Sequence, residues 1–205
     1  MIMKRLVLMI ASVVTTGTIL SAQSVEYGDS NAGLICISSE ACYEQIFLDA
    51  DEGLKSSWAM SAPCIGVEYY TKDNMYLGIS LGGSMGSVSY DFGKAGRTYS
   101  SIYDMRLPLR VGVAFADRNF KLETGPFVNF TLGGESSYYR GTEETTTRVS
   151  DMDVSRVALG WSISMKLFEI IKVGYSFMLT DSPYGEGGDA GFLTIGLSYS
   201  IPIGK

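Results

Sequence analysis

The 205 residues hold 24 Gly, 13 Tyr and 9 Phe against 5 Pro, a composition that suits one folded domain rather than a disordered chain. Lys and Arg number 16 against 22 Asp and Glu, a net charge of −6 with no basic patch, which excludes a nucleic-acid binder. The count of His is 0, which removes the commonest general base and every Ser-His nucleophile arrangement.

The chain opens with Lys4 and Arg5, an apolar run from Leu6 through Val14 to Leu20, and a small-residue exit at Ser21-Ala22-Gln23. That is the layout of a secretory signal peptide cleaved after Ala22, which assigns residues 1–22 to export and 23–205 to a mature domain. A membrane anchor is the competing reading, but roughly fifteen moderately apolar residues are short for a span. No Cys stands at the exit to carry lipid.

Past residue 25 a period of two takes over. A first segment, 25–37, is interrupted by Asp29, Ser30 and Asn31, and the acidic stretch from Ser38 to Ser57 reads as a solvated loop. A second segment covers 58–71 and ends at the turn Lys72-Asp73-Asn74. In the third, 75–90, Met75, Leu77, Ile79, Leu81 and Met85 share one face, and Tyr76, Gly78, Ser80, Gly82 and Ser84 the other. Such alternation predicts a strand with one oily face and one small, polar face. After a connection from Asp91 to Ser101, segment 102–116 sets Met105, Leu107, Leu109 and Val111 against Asp104, Arg106 and Arg110. The turn Asp117-Arg118-Asn119 leads to 119–137, and the connection Tyr138 to Asp151 leads to 153–166. A turn near Leu167 leads to 169–180, and the Gly-rich loop Asp181 to Asp189 leads to 190–203.

Eight such segments predict an all-β, eight-stranded antiparallel up-and-down transmembrane β-barrel. A soluble sandwich or lipocalin also alternates, with its oily face turned inward. Two features favour the membrane. Segments of roughly ten to fifteen residues match a tilted bilayer crossing, and the second face is Gly and Ser with sparse charges of both signs, as a narrow lumen requires. Short turns alternating with long connections place the turns in the periplasm, and an even strand count places both termini there too. Two aromatic girdles are expected at the headgroup levels. Tyr69, Tyr70, Tyr76, Phe115, Phe120 and Phe168 would form the periplasmic one, and Tyr90, Phe92, Tyr99, Tyr103, Tyr138 and Tyr139 the outer one.

Inward parity collects Glu68, Asp104, Arg106, Arg110, Lys121, Glu123, Arg156, Lys166 and Lys172. Charges in so narrow a space must pair or hold water, which predicts a salt-bridged plug centred on Glu68, Arg106, Arg110 and Glu123, with an ion path as the alternative. Cys36 and Cys64 share inward parity while Cys42 falls in the first predicted loop, leaving Cys36–Cys42 and Cys36–Cys64 both open as disulfides. No catalytic set, metal or cofactor is read. Metal binding by the three Cys alone, without His, is not expected here, and Asp181 to Asp189 lacks EF-hand spacing. Pro108 and Pro126 lie nearly opposite each other about the turn at Asp117-Arg118, where the lost ladder donors predict a bulge or weakened pairing.

The run Tyr103-Asp104-Met105-Arg106-Leu107-Pro108-Leu109-Arg110 followed by Leu122-Glu123-Thr124-Gly125-Pro126-Phe127 resembles the PorT-like outer-membrane β-barrel family, as do Val173-Gly174-Tyr175-Ser176 and Leu197-Ser198-Tyr199. The resemblance spans most of the mature chain through short motifs. It implies an eight-stranded barrel in outer-membrane lipid, with envelope or secretion proteins as partners and no catalytic residues. The ending Pro202-Ile203-Gly204-Lys205 departs from the terminal aromatic on which many outer-membrane proteins finish. The expected function is a non-enzymatic barrel with a plugged lumen, serving envelope structure or surface interaction through its outer loops. The alternatives are a component of a secretion or envelope assembly machine, a small channel, and a soluble lipocalin-like binder.

Overall fold

Side chains that alternate along a strand can satisfy two different surroundings at once, and this chain uses that property nearly throughout. The computed structural model describes residues 31–48, 54–61, 63–71, 74–115, 119–151, 155–168, 170–184, 188 and 190–204; the predicted signal segment, 1–22, lies outside them. The strands are β1 (Ile35–Leu48), β2 (Leu54–Ser61), β3 (Cys64–Tyr70), β4 (Met75–Asp91), β5 (Arg97–Phe115), β6 (Phe120–Arg140), β7 (Glu143–Arg148), β8 (Val157–Leu167), β9 (Ile171–Met178) and β10 (Ala190–Gly204).

All pair antiparallel, and β1 closes on β10 from Ile35↔Gly204 to Leu48↔Ala190. Strands β2 and β3 form one stave, interrupted at Pro63, since each lies between β1 and β4. The ring therefore has eight staves, while β7 pairs only with the upper part of β6 and stands beyond the ring. The chain is an up-and-down β-barrel.

Its polarity is inverted relative to a soluble protein. On the outside Ile65 is 65% exposed, Leu77 53% and Ile195 56%, whereas Glu68, Lys121 and Lys166 on the inside are exposed by 2% or less. A lipocalin would carry its oily face within; this wall is that of a transmembrane β-barrel. Among the described residues no helix is long and apolar enough to cross a membrane.

The first strand differs from its expected place. Residues 25–30 of the predicted segment lie outside the described residues, and the supposed loop from Ser38 onward is β1 as far as Leu48. Even positions Cys36, Ser38, Glu40, Cys42, Glu44 and Ile46 are buried, and Ile37, Tyr43 and Phe47 face out. Glutamates in the sequence suggested solvent, but here they serve the inward face. Strands β5, β6 and β7 likewise extend into the predicted connections at Asp91 to Ser101 and Tyr138 to Asp151, leaving a turn from Phe92 to Gly96.

Pro108 pairs with Phe127, so it stands one step from Pro126. Each proline sits at a gap. The β4–β5 ladder jumps from Ile79↔Leu109 to Gly82↔Arg106, and the β5–β6 ladder jumps from Pro108↔Phe127 to Val111↔Thr124. A missing N–H at each proline accounts for the lost rungs. A bulge between Tyr103 and Asp104 then shifts the register, so that Tyr103 faces Gly133 and Asp104 faces Thr131. Above it the outward face of β6 passes to Glu135, Ser137 and Tyr139. At the proline gap a Cβ on Gly125 would lie 2.0 Å from the Leu109 carbonyl oxygen, whereas one on Gly133 would meet nothing within 4 Å. Gly125→Val should therefore lower the yield of the heat-modifiable folded band on gels severalfold, while Gly133→Ala should leave it unchanged.

Candidate functional site

The lumen is the concentrated chemistry of this chain, and it is layered along the barrel axis. At the short-turn end, Cys36, Tyr70, Tyr76 and Ala114 pack together with Leu34. The rings of Tyr70 and Tyr76 are 5.2 Å apart and both are shut inside the barrel, which corrects their expected place on the outward girdle. Inward pointing gives each hydroxyl a carboxylate: Tyr70 donates to Glu68 at 3.1 Å and Tyr76 to Glu123 at 2.7 Å. Tyr69 remains outward.

Above the tyrosines lies the charged layer. Lys166 reaches Glu40, Glu68 and Glu123 at 2.7, 3.1 and 3.3 Å. Lys172 reaches Glu40 at 2.8 Å and Glu123 at 3.2 Å. Arg110 forks onto Glu40, with Nη1 and Nη2 each 2.8 Å from a carboxylate oxygen, and its Nε lies 3.7 Å from Glu123. Lys121 pairs with Glu68 at 3.1 Å and lies over both tyrosine rings. Arg106 holds Glu44 at 2.7 Å and lies 4.8 Å from the Phe192 ring centre. Asp104 accepts from Thr131 at 2.9 Å and Tyr184 at 2.6 Å. Acids Glu40, Glu44, Glu68, Asp104 and Glu123 thus balance bases Arg106, Arg110, Lys121, Lys166 and Lys172. Burial costs several kcal/mol per ion, a cost that cross-bonding of this density is needed to offset.

The third layer lies toward the long-loop end. Ile46, Val88, Ile102, Phe127, Met178 and Phe192 form an apolar cluster. Two residues enter it from connections: Val149, between β7 and β8, and Tyr184, between β9 and β10. Tyr184 packs edge-on to Phe192 at 5.4 Å and fills the space left by Gly86, where a Cβ would lie 2.5 Å from its hydroxyl. Between the charged and apolar layers, Glu40, Glu44, Arg106, Arg110 and Lys172 border a cavity of about 80 Å³, room for a few waters.

Of the residues the sequence singled out, Glu68, Arg106, Arg110 and Glu123 all enter the lumen, but they do not form one centre. Arg110 meets Glu123, whereas Arg106 turns to Glu44 and Glu68 to the two lysines. Arg156 is outside it: exposed beyond the end of β8, it donates to the Ser150 carbonyl at 3.0 Å. Glu40 and Glu44 were missed, though the continued alternation Ile37, Tyr43, Phe47 on the other parity was their signal. Tyr184 had none. Cys42 and Cys64 are free thiols. Cys36 and Cys42 are six residues apart on one extended strand, about 20 Å, far beyond disulfide reach. Cys36 faces Glu68 while Cys64 faces Glu40, so that pair is also separated along the ladder. The sulfurs pack instead, Cys64 against Gly82 and Cys42 against Gly196.

No family model matches the chain, and no curated protein does. Among solved structures it is similar to Ail, the attachment invasion locus protein of Yersinia pestis, at 11% identity over 83% of this chain and 99% of that one, with a TM-score of 0.43. It is similar to Neisserial surface protein A at 10% identity, over 82% and 97% of the two chains, with a TM-score of 0.41. The outer membrane protein OprG from Pseudomonas aeruginosa matches at 13% identity, over 83% and 97%, with a TM-score of 0.40. The barrel assignment stands on the closed ring and the chemistry of its two faces.

Glu40→Gln leaves Arg110, Lys166 and Lys172 short of a shared carboxylate and should lower unfolding stability in urea by about 3–5 kcal/mol. Exposed Glu143→Gln should change it by less than about 0.5 kcal/mol. Tyr184→Phe removes one donor to Asp104 and should cost about 1.5–3 kcal/mol in the same titration, with earlier proteolysis in the β9–β10 connection.

Proposed function

We propose that the chain is a non-enzymatic barrel of a bacterial outer membrane, exported by residues 1–22, with both termini in the periplasm and a lumen that does not conduct. Its work lies in envelope structure or surface interaction at the long-loop rim. The observation that carries this reading is the pairing of an apolar outward wall with a charge-neutral, cross-bonded interior. An eight-stave ring leaves space for little beyond its own side chains. The apolar and tyrosine layers above and below the charges oppose ion entry by desolvation, so a channel is disfavoured. Reactive groups are absent from the proposal for a chemical reason: every buried carboxylate named above is committed to cations or hydroxyl donors.

Membrane fractionation tests the placement. The mature protein should sediment with outer membranes, require detergent, and migrate differently on gels before and after boiling; a detergent-free soluble protein would sink the reading. In planar bilayers the wild type should give no stepwise conductance. Glu40→Gln with Tyr184→Ala, which loosens two layers, should give some if it folds. Stable co-purification with secretion proteins would favour the machine component that the PorT-like resemblance implies, with contacts at the wall or the short-turn rim.

A further inference from the structure

Strands β4, β5, β6 and β7 continue past the ring as a protruding sheet, and its outward face carries side-chain rows that the lumen does not explain. Paired positions run Asp91, Arg97, Tyr139 and Glu144 in the upper row and Ser89, Tyr99, Ser137 and Thr146 in the lower. The two hairpin tips are pressed together. A Cβ on Gly96 would lie 2.6 Å from the Tyr139 carbonyl oxygen, and the Tyr138 hydroxyl donates to the Ala95 carbonyl. Between them is a groove of about 790 Å³, within the range of about 300–1,000 Å³ typical of ligand sites.

Its lining is selective in what it leaves out. Among the described residues Ser, Thr, Tyr and Gly predominate, with Asp91 and Arg97 as the charged members and no aliphatic side chain. A protein partner would find no apolar anchor pocket there. Among the described lining residues a polyanion would find one cation, already 3.4 Å from Asp91, with Glu144 close by in the same row. What the groove does offer is three tyrosines, Tyr90 stacked on Phe92 and partly buried, Tyr99 51% and Tyr139 40% exposed, set among hydroxyl, carboxylate and guanidinium groups. Electron-rich ring faces suit the C–H faces of sugars, and the polar neighbours can both donate to and accept from sugar hydroxyls. The Tyr139 hydroxyl is held by Glu144 at 2.9 Å, which keeps that ring in place before a ligand arrives.

We propose that this groove binds uncharged sugar rings of an outer-leaflet glycolipid. The source follows from position, and the inference rests on the membrane reading above. Tyr99 and Arg97 continue the same outward column as Val111, Leu109 and Tyr103. Arg97 stands six residues beyond Tyr103, about 20 Å along the strand. A glycolipid whose acyl chains lie against the column would thus present its outer sugars, rather than its anionic inner groups, at this height.

The test uses full-length mature protein, refolded in detergent and checked for the heat shift. Its probe is the delipidated oligosaccharide released from lipopolysaccharide by mild acid, observed by saturation-transfer NMR. Wild type should bind. Tyr99→Ala and Tyr139→Ala, each still heat-modifiable, should weaken binding at least tenfold, while Tyr43→Ala on β1 should not. Equal binding by all variants, or none by folded wild type, overturns the groove. Preference for a sulfated polymer or a soluble neutral glucan over the lipopolysaccharide oligosaccharide overturns the glycolipid assignment. Failure of the heat shift and of membrane fractionation would instead be failure of the barrel reading, seen before any sugar is added.

Discussion

Burying ten ionised side chains inside a narrow barrel is tolerable only if nearly every charge meets its opposite, and that requirement organises the molecule. Glu40 and Glu44 come from β1, Arg106 and Arg110 from β5, Lys166 from β8 and Lys172 from β9. The partners stand across the lumen rather than side by side on one strand. Leaving any one unpaired would cost several kcal/mol, so the network penalises a strand that slips by two residues as firmly as the wall penalises one that slips by one. Hydrophobic alternation chooses the face; ion pairing chooses the register on that face.

The same economy explains the two capping layers. Low dielectric strengthens the ion pairs and raises the penalty for an orphan, so excluding water is consistent with a network this complete. Tyr70 and Tyr76 exclude it from below while spending their hydroxyls on Glu68 and Glu123. Tyr184 repeats the device from above, ring in the apolar cluster and hydroxyl on Asp104. Glycines at Gly86 and Gly112 give these rings their room, since a Cβ at either would meet a tyrosine ring or hydroxyl atom within 2.5 Å. These two inward glycines are thus the negative of the tyrosines they accommodate.

Most of the barrel was legible in the sequence because its signal is local: parity needs only neighbours two apart. From Met75 onward the inner and outer faces read correctly as far as the bulge beside Asp104, where one extra residue on β6 passes the outward face to the other parity. Strand one was misplaced because Glu40 and Glu44 look like solvated loop residues until their partners, some 60 to 70 positions away, are in view. Arg156 failed the other way, with lumen parity but no strand beneath it. Tyr184 was illegible for a related reason: a single aromatic in a Gly-rich connection carries no period, and its role comes from a hydrogen bond spanning 80 residues.

These two kinds of information also divide the molecule by task. In a lumen this heavily ion-paired, a ligand would have to displace ion pairs and dehydrate in the process. The sheet above the ring is under no such constraint. There, Ser56 with Ser89, Ser100 with Ser136 and Ser137 with Thr146 bond side by side in partial exposure, and their hydroxyls can exchange partners at small cost. Strands β5 and β6 run continuously from lipid wall to protruding sheet, so the register fixed by buried charges below also fixes the spacing of Tyr99 and Tyr139 above. The interior acts as the clamp, and in the proposed sugar binding recognition falls to the surface that the clamp holds still.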